Sequence, residues 1–417
     1  MTVTVPAGMR RGAVTVPASK SQAHRLLICA ALGEEETTLR CDGLSQDIRA
    51  TLRCLRAMGA EYTEEDGALR LRPIRERPAD AVALPCGESG STLRFLLPAV
   101  GALGLRAVFL MEGKLPRRPM EELVQALCAR GMEIRQEGEA LYASGQLRPG
   151  EFTLPGNVSS QFISGLLMAL PGLPGDSLLR ITGNVESADY IAMTEDALRK
   201  SGILLEKEGP VYRIPGFQRP RLPRELAVER DWSGAAFFLA LGALSRGGVT
   251  VRDMDLASRQ GDRRILALLE GFGAEVSVLG RDVTVRRASL RGQSIDASQI
   301  PDLVPVLSTA AAFAEGETVI YNAGRLRLKE SDRLETTAHL LSSLGADIRQ
   351  TEDGLLLRGK PSLAGGTAES AGDHRIAMSA AVAAAGCERD VTVLGAECAA
   401  KSYPRFWEDL ESLEVEA

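Results

Sequence analysis

The feature that most constrains this chain is a register of glycines. Gly59, Gly131, Gly202, Gly273 and Gly345 stand 72, 71, 71 and 72 residues apart. Each closes a run that reads as an amphipathic helix, as in Leu55-Arg56-Ala57-Met58-Gly59-Ala60-Glu61 and Leu341-Ser342-Ser343-Leu344-Gly345-Ala346-Asp347. A glycine just past a helix is a common way to turn the chain back. Hairpin signals follow at Asp66-Gly67, Glu137-Gly138, Glu208-Gly209, Gly280-Arg281 and Asp353-Gly354. A spacing held this closely means one helix-and-strand unit used repeatedly.

A sixth copy opens at Phe406-Trp407-Glu408-Asp409-Leu410, but the sequence ends at Ala417, before its strands. Thr2-Val3-Thr4-Val5 and Ala13-Val14-Thr15-Val16 read as strands with no helix ahead of them, so the N-terminus is expected to complete the C-terminal module. This predicts a split domain of residues 1–15 plus 226–417 and a second domain of residues 16–225, three modules each, with Phe217 to Glu225 as a linker.

Each module carries a second helix, and these start near Ser21, Ser91, Ser160, Ser233, Val304 and Arg375, spaced 70, 69, 73, 71 and 71 residues. Stretches such as Phe162 to Leu170, Ala235 to Leu241 and Ile376 to Val382 are apolar nearly all round. Such helices belong inside a domain with sheets outside, an α/β barrel turned inside out. Related by repetition, they point their positive N-termini the same way, and two facing domains would aim six such ends into one cleft.

The six starts themselves are polar: Lys20-Ser21, Gly90-Ser91, Ser159-Ser160-Gln161, Asp231-Trp232-Ser233, Pro301-Asp302 and Asp373-His374-Arg375. Serine and aspartate are good N-caps, which accounts for about half of these residues. It does not account for Lys20, Arg25, Gln161 or Arg375, because cations gain nothing at a helix N-terminus unless an anion is shared. Arg117-Arg118-Pro119, Lys329-Glu330-Ser331-Asp332-Arg333 and Lys401-Ser402-Tyr403-Pro404 add charge between the modules. Together they suggest a site for a small polyanion. A net charge of -6 over 417 residues gives no general attraction to nucleic acid or acidic membranes, so recognition must be local.

Seven scattered cysteines without a Cys-x-x-Cys pair fit a reducing compartment, and the start lacks a signal-peptide profile, so a cytoplasmic protein is expected. No apolar run approaches a membrane span. The three histidines are not at ligand spacing, so no zinc site is expected.

Nine ordered pieces resemble the enolpyruvyl transferases, in particular those acting on shikimate 3-phosphate. They are Lys20-Ser21-x-x-x-Arg25, Gly90-Ser91-Thr92-x-Arg94, Arg118-Pro119, Ser159-Ser160-Gln161-Phe162, Ser187 with Tyr190, Pro301-Asp302, Lys329 to Leu334, Asp373-His374-Arg375-x-Ala377-Met378 and Lys401 to Pro404. The resemblance implies two domains of three βαβαββ repeats each. It also implies transfer of the enolpyruvyl group of phosphoenolpyruvate to the 5-hydroxyl of shikimate 3-phosphate, by addition and elimination, in aromatic amino acid biosynthesis. No metal or cofactor is implied, and a monomer is expected.

By resemblance Ser21 and Arg25 bind the shikimate carboxylate, Ser159, Ser160 and Ser187 hold the 3-phosphate with Lys329 nearby, and Gln161 serves both substrates. Gly90, Arg118, Arg333, Arg375 and Lys401 surround phosphoenolpyruvate. Asp302 is the expected base at the 5-hydroxyl, Glu330 the proton carrier at C3, and Lys20 a contact to both substrates. His374 is as consistent with a structural role as with a catalytic one. Because burying so many unpaired cations is costly, an open, hydrated cleft is expected without ligand. Glu88-Ser89-Gly90-Ser91 stands where the family often has Asn-Ala-Gly-Thr, and Arg325 where it often has Asn. The related UDP-N-acetylglucosamine enzymes usually carry Lys-Asn and a loop cysteine, whereas Lys20-Ser21 and a cysteine-free Met111 to Arg117 stand here. A non-catalytic anion-binding scaffold would need neither Asp302 nor Glu330.

Overall fold

The computed structural model describes residues 1–416. All five register glycines have a left-handed backbone, with φ between 72° and 107°. Side chains disfavour that region, which explains why glycine holds the register. The glycines end the outer helices Gln46–Ala57, Glu121–Cys128, Ala188–Lys200, Ile265–Phe272 and Arg333–Ser343. The second module shows the whole unit. Strand Val82–Gly87, helix Gly90–Leu103, strand Ala107–Met111 and helix Glu121–Cys128 lead into the hairpin Glu133–Glu137 and Ala140–Ser144. The first two strands are parallel, and the last returns antiparallel to the second.

By its internal contacts the chain divides into two units, Met1–Ser19 with Glu229–Ala417, and Lys20–Val228. In the Lys20–Val228 unit the inner helices are Lys20–Ala31, Gly90–Leu103 and Ser160–Ala169. The last two approach so closely that a Cβ on Gly165 would lie 2.4 Å from the Arg94 carbonyl oxygen. In the other unit the inner helices are Trp232–Ala243, Val304–Ala311 and His374–Ala383, and all their residues except Ser233 are buried. Their apolar surface is the core, and the sheets lie around it.

The N-terminal strands part company. Thr2–Val5 pairs antiparallel with Val391–Leu394 and so serves the sixth module, as expected. Arg10–Val14 instead lies parallel to Val249–Val251, as first strand of the fourth module, and takes Glu414–Val415 at its start. The reciprocal strand, Glu225–Ala227, lies parallel to Thr37–Arg40 and opens the first module. In chain order the first and fourth modules thus exchange first strands, each strand lying in the same unit as the sheet it joins. Periodicity marks that a strand is present but neither its bounds nor its partner: the strand expected at Ala13–Val16 runs over Arg10–Val14 and joins the fourth module.

Phe217 to Glu225 is not a free linker either. Phe217 N–H donates to Leu173 O at 2.8 Å, Gln218 N–H to Pro171 O at 2.8 Å and Arg221 N–H to Ser201 O at 2.7 Å. The chain crosses at residues 19/20 and 228/229, where Ser19 N–H donates to Glu229 O and Asp231 N–H to Pro17 O. No described helix is long and apolar enough to cross a membrane.

Candidate active site

In the Lys20–Val228 unit, side-chain hydrogen bonds tie the three inner helix starts together. Arg25, 2% exposed, donates from Nε to Thr194 Oγ1 (2.7 Å), from Nη1 to Ser21 O (2.6 Å), and from Nη2 to Tyr190 O (2.8 Å) and Ser164 Oγ (3.4 Å). Its guanidinium also sits 5.0 Å from the Phe95 ring centre. All its partners are neutral, and burial lowers its pKa to about 10. Gln161 joins the other two helices, accepting from Arg94 Nη1 at 2.8 Å and donating to Ser91 Oγ at 2.9 Å. Ser159 caps its helix through the Gln161 N–H, Ser160 follows buried, and Ser187, at φ 53°, heads the helix Ala188–Lys200.

Lys20 Nζ lies 2.9 Å from Asp47 Oδ2, in the first turn of Gln46–Ala57. Behind this pair runs a buried chain of hydroxyls. His24 Nδ1 meets Thr51 Oγ1 at 2.7 Å, Thr51 meets Thr92 Oγ1 at 2.7 Å, and Thr92 donates to Ser89 Oγ at 2.8 Å. Ser89 caps the helix that begins at Gly90. A Cβ at Gly90 would fall 2.8 Å from Arg118 Nη1 and 3.3 Å from Arg94 Nη1. Glycine there lets two guanidinium groups reach a helix N-terminus, an arrangement that favours an anion.

In the other unit the corresponding starts are rich in carboxylates. Arg333, 1% exposed, donates from Nη1 to Asp302 Oδ1 (2.8 Å), from Nη2 to Glu330 Oε2 (2.8 Å) and Asp373 Oδ1 (3.3 Å), and from Nε to Asp373 Oδ2 (2.8 Å). Arg375 grips Asp302 from its other side, with Nη2 at 3.2 Å from Oδ2 and Nη1 at 3.0 Å from the backbone carbonyl. Lys329 Nζ lies 3.6 Å from Asp302 Oδ1. Asp373 caps its helix through the Arg375 N–H and accepts from Ser331 Oγ at 3.0 Å. His374 is buried behind it, and Lys401 ends the turn Ala396–Lys401, also buried.

These contacts set the charges. Burial opposes ionisation of Asp302, yet Arg375, Lys329 and Arg333 hold it well below the usual carboxylate range. Burial lowers the Lys329 pKa to about 8 even with Asp302 beside it. Asp262, on the turn Gly261–Arg264, is pushed up to about 6, by burial first and also by Asp302 and Asp231, against the pull of Arg375.

Each unit therefore holds its own share of the expected residues, most of them at its helix starts. Ser21, Arg25, Gly90, Arg118, Ser159, Ser160, Gln161 and Ser187 lie in one, with Lys20. Asp302, Lys329, Glu330, Arg333, Arg375 and Lys401 lie in the other. Several of these cations are partnered within their own unit. Arg25, Arg333, Arg375 and Lys401 are at most 5% exposed, because hydroxyls and carbonyls satisfy Arg25 and carboxylates surround Arg333. Sequence reasoning missed Asp47 and Asp262. An aspartate in a helical first turn looks like an ordinary dipole partner, and Asp262 follows a glycine in a loop-like stretch with no periodic signal. No described group of three His, Cys, Asp or Glu is placed to hold a metal ion.

Known proteins resemble this chain along nearly its whole length. The family model for EPSP synthase (3-phosphoshikimate 1-carboxyvinyltransferase) matches residues 6–410. The 3-phosphoshikimate 1-carboxyvinyltransferase of Clostridium acetobutylicum is 43% identical over 410 residues, covering 97% of this chain and 95% of its own. That of Clostridium perfringens strain 13 is 41% identical, covering 97% and 96%. The EPSP synthase structure from Acinetobacter baumannii superposes with a TM-score of 0.81 at 28% identity, with full coverage of both chains. On this evidence the chain belongs to the EPSP synthase family.

Proposed function

We propose that this protein transfers the enolpyruvyl group of phosphoenolpyruvate to the 5-hydroxyl of shikimate 3-phosphate and releases phosphate, the reaction for which its relatives are named. The 5-hydroxyl adds to C2 while a proton goes to C3, and loss of phosphate from C2 together with a proton from C3 of the tetrahedral adduct restores the double bond. The observation that carries this reading is the setting of Asp302, one carboxylate shared by Arg333, Arg375 and Lys329.

So placed, Asp302 is ionised but a weak base. A dianionic phosphate drawing on Arg375 and Arg333 competes for the charge that stabilises Asp302 and raises its basicity where the 5-hydroxyl must lose its proton. Glu330, tied to the same guanidinium, carries the proton for C3. Lys329 and Lys401 add positive charge for the phosphoryl group, and Lys329 also serves the 3-phosphate.

The other unit supplies recognition. Arg25 and Ser21 take the shikimate carboxylate, while Ser159, Ser160, Ser187 and Gln161 take the 3-phosphate with hydroxyl, amide and backbone donors. Gly90 and Arg118 receive phosphoenolpyruvate at a helix start, and Lys20, aligned by Asp47, contacts both substrates. A cytoplasmic location fits seven cysteines that form no disulfide among the described residues.

Asp302→Ala tests the assignment. Phosphate release from the two substrates is expected to fall at least ~1,000-fold while calorimetry still detects both ligands. Turnover near wild type would remove Asp302 from the chemistry.

A further inference from the structure

His24, Thr51, Thr92 and Ser89, the hydroxyl chain behind the Lys20–Asp47 pair, are each at most 1% exposed, and none has a part in the mechanism above. They form a layer just beneath the residues proposed for phosphoenolpyruvate. His24 stands four residues after Lys20 on the helix Lys20–Ala31, and Thr51 four after Asp47 on Gln46–Ala57, so each lies one turn along the same helix face. Ser89 precedes Gly90 and Thr92 follows it at the start of the helix Gly90–Leu103. One chain of hydrogen bonds therefore joins three helix starts.

The chain has a direction, set by its protons. Thr92 has a single hydroxyl proton, which goes to Ser89 Oγ at 2.8 Å, with the Asp47 carbonyl oxygen at 3.5 Å as its other acceptor. Thr51 Oγ1, 2.7 Å from Thr92 Oγ1, then has to donate to it. That leaves Thr51 to accept from His24 Nδ1, also at 2.7 Å. Burial keeps the imidazole neutral, so its Nε2 is a bare lone pair, and Nε2 has no hydrogen-bond partner among the described residues. The opposite direction would place an N–H there, a group that folded proteins rarely leave unpaired. At the other end Ser89 Oγ also accepts the Thr92 N–H at 3.3 Å. The cap thereby serves the third N–H of the helix and not those of Gly90 and Ser91, next to Arg118.

We propose that His24, Thr51 and Thr92 are positioning residues, a one-way hydrogen-bond chain that holds the helix starts carrying Lys20, Asp47 and Gly90 in register to receive phosphoenolpyruvate. This rests on the reading of Lys20 and Gly90 as phosphoenolpyruvate contacts. A break in the chain leaves a buried donor unpaired and lets the ring and the hydroxyls turn, which loosens the Gly90 start relative to Lys20. Shikimate 3-phosphate, assigned mainly to Ser21, Arg25, Ser159, Ser160 and Ser187, should feel the break less.

Thr51, in the middle of the chain, is the position to vary. Thr51→Val keeps the shape and deletes the hydroxyl, whereas Thr51→Ser keeps the hydroxyl and deletes the methyl group. For Thr51→Val the KM for phosphoenolpyruvate should rise ~10-fold, while kcat and the KM for shikimate 3-phosphate stay within about threefold. Thr51→Ser should stay within about twofold of wild type in all three. A packing role reverses this order, so a tolerated Thr51→Val overturns the proposal. NMR of the full-length protein carrying isotope-labelled histidine gives a reading that does not depend on a Thr51 variant. The His24 signal, identified by its loss in His24→Asn, should show a protonated Nδ1 and a bare Nε2 near neutral pH. An Nε2–H ring overturns the direction of the chain and the proposal with it. Wild-type protein that releases no phosphate from the two substrates overturns the substrate reading as well, whereas an active enzyme indifferent to Thr51→Val overturns this proposal alone.

Discussion

Arg25 and Arg333 are both buried guanidinium groups in the early turns of helices, one in each unit, and they are held by opposite chemistry. Arg25 donates to two carbonyls and two hydroxyls and pairs with no carboxylate among the described residues. Arg333 donates to three carboxylates, and although burial opposes its charge, Asp373, Glu330 and Asp302 raise its pKa. The first keeps a charge that no carboxylate among the described residues offsets. The second spends its charge holding acids ionised. Recognition of a fixed anion suits the first arrangement, and moving protons suits the second.

The difference can be broken in graded steps. Arg333→Met leaves three buried carboxylates without their common partner, and chemical denaturation should show a loss of about 3–5 kcal/mol or failure to fold. A loss below about 1 kcal/mol would erase the contrast. Arg25→Met removes a charge with no counter-charge, so its stability cost should be smaller, about 1–2 kcal/mol, while the KM for shikimate 3-phosphate rises ~100-fold.

Acid should separate the units next. His24 is fully buried and its pKa falls to about 3, from burial first and then from Lys20 and Arg25, although Asp47 opposes this. It stays neutral in the folded protein while the unfolded chain takes up a proton below about pH 6.5, so stability declines as pH falls from about 6.5 towards 3, by up to ~1.4 kcal/mol per pH unit. Asp373, whose pKa is lowered by Arg333 and His374 against burial, loses its contribution only as pH falls below about 4. Hydrogen exchange across pH 7 to 3 should show Lys20–Val228 weakening first, and His24→Leu should flatten that early decline. The smallest step is Gly90→Ala. Its methyl group displaces the flexible Arg118 tip, raising the KM for phosphoenolpyruvate ~10-fold with a shift in Tm of a few degrees at most.

Much of this was legible in the residues. The glycine register foretold the outer helices because a left-handed C-terminus tolerates little else, and the greasy stretches foretold the inner helices because nothing polar interrupts them. The polar helix starts pointed to Lys20, Arg25, Asp302 and Arg375. What could not be read was pairing. Nothing in Arg10–Val14 says that its neighbour is Val249–Val251 rather than the strand beside Thr2–Val5. Most of the compensation of Arg333 was equally hidden, because Asp302 and Asp373 are brought to it from distant stretches of chain, and Glu330 alone is a near neighbour in sequence.

The exchanged first strands have a consequence for the order in which the molecule can be made. Once residue 228 has left the ribosome, the Lys20–Val228 unit has every strand it needs, including Glu225–Ala227. The earliest residues wait far longer. Arg10–Val14 meets its partner only after Val249–Val251 is made, and Thr2–Val5 only after Val391–Leu394. Both strands are therefore made before the strands they pair with, and each can settle only once its later partner exists.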